Sequence, residues 1–126
     1  MDLTAFATDK RKEQEGVWKD LGDGRVKIAR HNNPKFQAAM AKYSKEFLPF
    51  GAEIDISSPE LEKATVHAMA ETILLDWENI GIGGELLEYS FENAVMVLSK
   101  YSDFKELVAQ MALDRNNFRP EKAAKK

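Results

Sequence analysis

The sequence predicts an α+β fold that is mostly helical, with an N-terminal β-hairpin packed on a bundle of about four helices. Three observations carry this. Residues 25–30 (RVKIAR) alternate polar and apolar just after a Gly-Asp-Gly turn, the period of a half-buried strand. Apolar residues then recur every three or four positions from Phe36 to the C-terminal region, the period of helix. Helix-start signals of the Ser/Asn-Pro type precede two of those stretches. A chain of 126 residues and 14.3 kDa fits one domain. We place it at 1–118, followed by a disordered basic tail at 119–126.

Residues 2–13 predict a short helix anchored by Leu3 and Phe6, too short to stand alone. Its run KRKEQE reads as solvated. The hairpin pairs roughly 16–21 with 25–30. Asp23-Gly24 is its two-residue turn signal, Val26 and Ile28 face one side, and Trp18 is their expected cross-strand partner. A lone hairpin is marginal in water, so it must pack on a helix or extend a sheet.

Asn33 suits an N-cap and Pro34 the first helical position. Phe36, Ala39, Met40, Tyr43 and Phe47 form the stripe of that helix, which Pro49 and Gly51 stop. Residues 50–56 read as a loop, or as a short extended piece at 52–56. Ser57 with Glu60 offers a capping box, with Pro59 in the first turn. The helix it opens is expected to reach about Asn79. Val66, Met69, Ile73, Trp77 and Ile80 make one stripe on it, and Leu61, Ala64, Ala68, Thr72 and Leu75 a second. Two stripes imply a helix touched on more than one side, the centre of the core. Residues 81–89 then turn the chain. Ser90 caps a helix from Phe91 to about Leu98. Ser102 or Asp103 caps the last helix, with Phe104, Leu107, Val108, Met111, Ala112, Arg115 and Phe118 along one side and Pro120 at its end.

The net charge of −3 conceals a pattern. Residues 1–43 hold nine basic and six acidic residues, residues 44–92 two and eleven, and residues 93–126 seven and four. This basic, acidic, basic order suits contact between ends and middle, within one chain or between copies. Exposed charges attract weakly, so it orients more than it stabilises.

Catalytic constellations are absent. With no cysteine there is no disulfide framework, zinc-thiolate site, iron–sulfur cluster or thiol nucleophile. His67 and Glu71 stand four apart on one helix face, but two ligands do not make a metal site. His31 has no evident acid partner. Gly81-Ile82-Gly83-Gly84 follows a helix and lacks the Lys-Ser/Thr ending of a phosphate loop, so its glycines serve a turn. Asp76, Glu78, Glu85 and Glu88 read as a solvated acidic rim. No cofactor is expected. No apolar run approaches the roughly 20 residues of a membrane span, and the N-terminus does not read as a secretory signal. The cytoplasm is the expected compartment. Arg25, Lys27 and Arg30 on the hairpin, with Arg119, Lys122, Lys125 and Lys126, leave one alternative class, a small nucleic-acid-associated regulatory protein. The acidic balance of the whole chain does not favour it.

Leu75-Asp76-Trp77-Glu78-Asn79-Ile80, a glycine-containing loop and Tyr89-Ser90-Phe91-Glu92-Asn93-Ala94 follow one another in this sequence. Gly16-Val17-Trp18, the Asp-Gly turn and Asn32-Asn33-Pro34-x-Phe36 precede them, and Phe104 and Phe118 follow. In that order, over roughly residues 13–118, the chain resembles the tail assembly chaperones of long-tailed bacteriophages and prophages. In that family a helix ends in the W-E-N motif. The loop here departs from the acidic, proline-containing stretch usual there. The resemblance implies a non-enzymatic protein of the host cytoplasm that is not retained in the mature virion. It would bind the tape-measure protein and help recruit tail-tube subunits. A homo-oligomer formed through the hairpin edges is a further expectation; membrane and nucleic acid are not expected partners. Methionines adapt to varied surfaces, and Met40, Met69, Met96 and Met111 accompany Tyr43, Trp77, Phe91 and Tyr101. The loop is too short to bury all its apolar residues, so the expected partner surface is Trp77, Ile80, Ile82, Leu86, Leu87, Tyr89 and Phe91.

Overall fold

The computed structural model describes residues 1–50 and 57–120. The expected extended piece at 52–56 and most of the expected tail lie outside them. Within them the α+β class holds. The elements are α1 (Lys10–Glu15), β1 (Val17–Asp20), β2 (Arg25–Ile28), α2 (Pro34–Phe47), α3 (Pro59–Thr72), β3 (Leu74–Glu78), β4 (Gly81–Ile82), β5 (Glu85–Leu86), α4 (Phe91–Lys100) and α5 (Ser102–Leu113). Short 3-10 turns at Leu3–Phe6 and Arg115–Phe118 flank them. No helix among the described residues is long and apolar enough to cross a membrane.

The N-terminus differs from expectation. Leu3 and Phe6 do not anchor a helix; they stay 72% and 47% exposed in a 3-10 turn. The helix begins later, where the Asp9 carboxylate accepts the Arg11 and Lys12 N–H groups. Its KRKEQE run is not wholly solvated, because Glu13 is buried. There its carboxylate accepts from Arg30 at 2.8 Å and from the Thr8 hydroxyl. A buried carboxylate needs such partners to offset lost hydration. Asp9 N–H also donates to the Phe118 carbonyl and Lys12 Nζ to that of Arg119, which ties the two ends together. Arg119, expected in the tail, is thus held to the domain.

The hairpin forms as read, with Val17 opposite Ile28 and Asp20 opposite Arg25. Its turn centres one residue early, on Gly22-Asp23, because the Leu21 N–H bonds the Gly24 carbonyl. Gly22, at φ +91°, takes the first central position, which a type II′ turn reserves for glycine. Val26 and Ile28 are fully buried. Trp18 is not their partner. It lies opposite Lys27 on the other face, with the Arg25 guanidinium 4.2 Å from its ring centroid.

The larger correction concerns 73–79. The long helix ends at Thr72, and Leu74–Glu78 becomes the third strand of an antiparallel sheet ordered β1-β2-β3. The Ala29 N–H donates to the Ile73 carbonyl as the chain joins the edge of β2. A bulge then places Ile28 opposite Leu74 but Lys27 opposite Asp76, leaving Leu75 as the extra residue. Leu74 and Trp77, three apart, therefore share the buried face. Spacing of three is also a helical spacing, which is why the stripe Met69, Ile73, Trp77, Ile80 reads as continuous helix. The expected helix ending in W-E-N is a strand ending there.

The starts of α2 and α4 form as the sequence predicts. Asn33 accepts the Phe36 N–H at 2.9 Å with Pro34 at the first position. Ser90 accepts the Asn93 N–H at 3.0 Å. At α3 the cap is Ser58, not Ser57: Pro59 is the first helical residue, and Ser58 accepts the Leu61 N–H at 3.1 Å. At α5 neither Ser102 nor Asp103 caps. Tyr101 alone joins α4 to α5 and makes no side-chain cap bond. The last helix stops at Leu113, and the 3-10 turn carries Phe118 into the core. As expected, α3 is central: Ala64, Val66, Ala68 and Met69 are buried, and it packs against α2, α4 and β3.

Candidate functional site

After β3 the chain forms a second, two-stranded hairpin in the stretch read as a simple turn. Gly83 and Gly84 lie at φ +61° and +89°, the two left-handed positions of a type I′ turn. Both residues of β4 and of β5 are exposed. Two residues per strand cannot stand alone, so the base must hold the hairpin. The Leu87 N–H donates to the Ile80 carbonyl at 2.8 Å. The Trp77 indole N–H donates to the Leu87 carbonyl at 2.7 Å. The Tyr89 hydroxyl donates to the Leu74 carbonyl at 2.7 Å, and its ring meets that of Trp77 edge-on at 5.0 Å. Burial, with the nearby Asp76 charge, pushes the Tyr89 phenol above its usual range.

The register sorts the hairpin's side chains. Ile82 pairs with Glu85, and Gly81 with Leu86. Paired residues share a face and neighbours alternate, so Ile82 and Glu85 stand on one side and Leu86 on the other. The Ile82 side opens on an apolar groove of ≈ 430 Å³, walled by Ile80, Gly81, Ile82 and Gly83 and by Val97, Tyr101, Asp103 and Phe104 from the α4–α5 corner. The Leu86 side borders a cleft of ≈ 380 Å³ with Trp77, Leu87, Tyr89, Asp76 and Glu88 in its wall. Ile82 is 38% and Leu86 75% exposed, apolar surface on a tip held firmly at its base.

Of the seven residues expected at a partner surface, six gather here in graded exposure. Ile82 and Leu86 are exposed, and Ile80, Leu87 and Tyr89 are half-buried. Trp77 is a core residue at 4% exposure. Phe91 lies elsewhere, 6.0 Å from the His67 ring in a cluster with Tyr43 and Phe47. Val97, Tyr101 and Phe104 are not among the residues expected at the partner surface, because only tertiary folding brings the α4–α5 corner beside the hairpin.

Other candidates prove to be structural. Glu71 accepts from Lys42 at 2.8 Å and Tyr43 at 2.6 Å, while His67 Nδ1 donates to the Lys63 carbonyl at 2.8 Å. Each side chain of the pair thus has a contact of its own. A polar cavity of ≈ 510 Å³ is lined by Lys10, Glu13, Arg30, His31, Asn32 and Asn33 with Ala112 and Leu113. Its side chains brace the fold: Glu13 binds Arg30, Asn33 Nδ2 donates to the Arg30 carbonyl at 2.7 Å, and the His31 ring lies against Phe36.

Among protein families, the one described as YdaY prophage protein matches residues 31–126. That span includes the candidate surface and every helix from α2 onward. No curated protein matches the chain, and no solved structure does.

Proposed function

This chain belongs to the YdaY prophage protein family, and from that premise we propose that it is a prophage tail assembly chaperone. In this reading it is non-enzymatic. It binds apolar segments of the tape-measure protein in the host cytoplasm and helps recruit tail-tube subunits. One observation carries the reading: Ile82 and Leu86 stand exposed on a braced hairpin beside an apolar groove. A chaperone of this kind needs apolar surface that is free before its partner arrives, on a frame that does not collapse onto it. The order of motifs shared with tail assembly chaperones supports it further.

The nucleic-acid alternative finds less support. Arg25 pairs with Glu78 and stacks on Trp18, Arg30 pairs with Glu13, and Lys27 lies across from Asp76. The cations of the hairpin are thus largely balanced within the fold.

The test is co-expression with a segment of the tape-measure protein from the same prophage. The segment should stay in the soluble fraction and co-purify with this chain, and should precipitate without it. Equal solubility with and without the chain would overturn the reading.

A further inference from the structure

We propose that the groove beside Ile82 takes an apolar segment flanked by lysines or arginines and discriminates against one flanked by acidic residues. The inference rests on the reading that this surface binds a polypeptide, and it adds the chemistry of that polypeptide. The groove wall is apolar, from Ile80, Ile82, Val97, Tyr101 and Phe104, with Asp103 at its edge. Glu85 pairs with Ile82 in the hairpin and so stands on the same side. Asp76 and Glu88 border the cleft on the hairpin's other side. From Ala64 to Ser99 the chain holds no lysine or arginine.

The carboxylates at the groove are uncommitted. Glu78 is taken by Arg25. Neither Glu85 nor Asp103 has an ion-pair partner among the described residues. Of the nearby cations, Lys105 is paired with Glu62; Lys100, 5.7 Å from the Tyr101 ring centroid, keeps its charge, which the carboxylates of Glu85 and Asp103 together outnumber. The groove therefore offers apolar wall and net negative edge together. A segment with apolar residues in the middle and cations at its flanks satisfies both. One with carboxylate flanks meets repulsion that the apolar contact must first overcome.

The experiment uses the full chain and two dye-labelled synthetic peptides of equal hydrophobicity, read by fluorescence anisotropy. Both carry the same central leucine-rich segment; one is flanked at each end by lysines and the other by glutamates. The lysine peptide should bind, and the glutamate peptide should bind at least roughly fivefold more weakly, the yield of one or two exposed charge contacts. Glu85→Lys should shrink that preference and flatten its dependence on salt. Ile82→Asp is the decisive control. It adds negative charge, so mere electrostatic attraction would strengthen, whereas seating in the groove must be lost.

Equal affinity for the two peptides, or lysine-peptide binding that survives Ile82→Asp, would overturn the proposal. So would light scattering that shows the chain to be a dimer which Ile82→Asp dissociates, since a second copy would then fill the groove. Failure here is separable from failure of the chaperone reading. A tape-measure segment kept soluble without any lysine preference would sink only the present inference. Lysine preference without solubilisation would sink only the chaperone role.

Discussion

The Trp77 indole N–H donates to the Leu87 carbonyl at 2.7 Å, joining a core tryptophan to the strand exit of an exposed hairpin. Leu87 is held from both sides, since its own N–H reaches the Ile80 carbonyl. A residue whose sequence context suggests a binding surface is thereby the anchor of that surface. Trp77→Phe keeps most of the apolar volume and removes the donor. It should cost about 1–3 kcal/mol, the penalty for leaving a part-buried acceptor unpaired. Thermal denaturation would show it, and amide exchange at Ile82 and Leu86 should accelerate more than in α3.

Substitutions at the tip and at the base should separate binding from stability. Leu86→Asp acts on a side chain 75% exposed and should leave the melting transition within about 0.5 kcal/mol of wild type. Tyr89→Asp looks equivalent in the sequence, one apolar residue of the same loop. In the structure it deletes the bond to the Leu74 carbonyl and the edge-on contact with Trp77. It should cost about 2–4 kcal/mol through a lost hydrogen bond and a charge forced into a half-buried site. Chemical denaturation of the two variants side by side decides it; equal midpoints would contradict the assignment of Tyr89 to the frame.

The turn of the second hairpin offers a third, purely local test. Gly83 and Gly84 are left-handed, and a Cβ built on either meets nothing within 4 Å. Any penalty on a side chain there is conformational rather than steric crowding. Gly84→Val should cost about 1–2 kcal/mol and open the hairpin without touching the core. Amide exchange should rise most at the hairpin, and the melting temperature should fall by the few degrees that such a cost implies. Peptide or tape-measure binding should weaken in parallel if the tip is the docking element.

What the sequence conveys depends on how local the physics is. Asn33-Pro34 and Ser90 are legible because a cap and its helix lie within four residues and bond each other. At Pro59 the same logic holds once proline is given the first helical position, which makes Ser58 the cap. β3 is illegible because its evidence is distant. Leu74 and Trp77 share a face only through the bulge at Leu75, and that bulge exists only against β2. The groove is hidden for a related reason: Ile82 lies some twenty residues from Tyr101 and Phe104, and no periodicity links a hairpin to a helix corner. Glu13 shows the same limit, since a charged run hides its one buried member until Arg30 and Thr8 are seen beside it.

Glu13 also sets an acid limit on the fold. Burial alone would raise its pKa, but the hydrogen bonds from Thr8 and Arg30 and the charges of Lys10 and Arg30 outweigh that and hold it below 4.5, the ordinary value. A carboxyl whose pKa is depressed on folding stabilises the folded state above its unfolded pKa, and the benefit disappears as pH falls through the folded value. The contribution is therefore complete at neutral pH and declines only below about 4.5. Glu13→Gln should cost about 1–3 kcal/mol at pH 7, because it leaves the half-buried Arg30 without its counter-charge. The gap between wild type and variant should narrow as pH is lowered below that value and should not change between pH 6 and 8. A melting-temperature series across both ranges checks it. A gap that persists undiminished in strong acid would mean that Glu13 acts through its shape and not its charge.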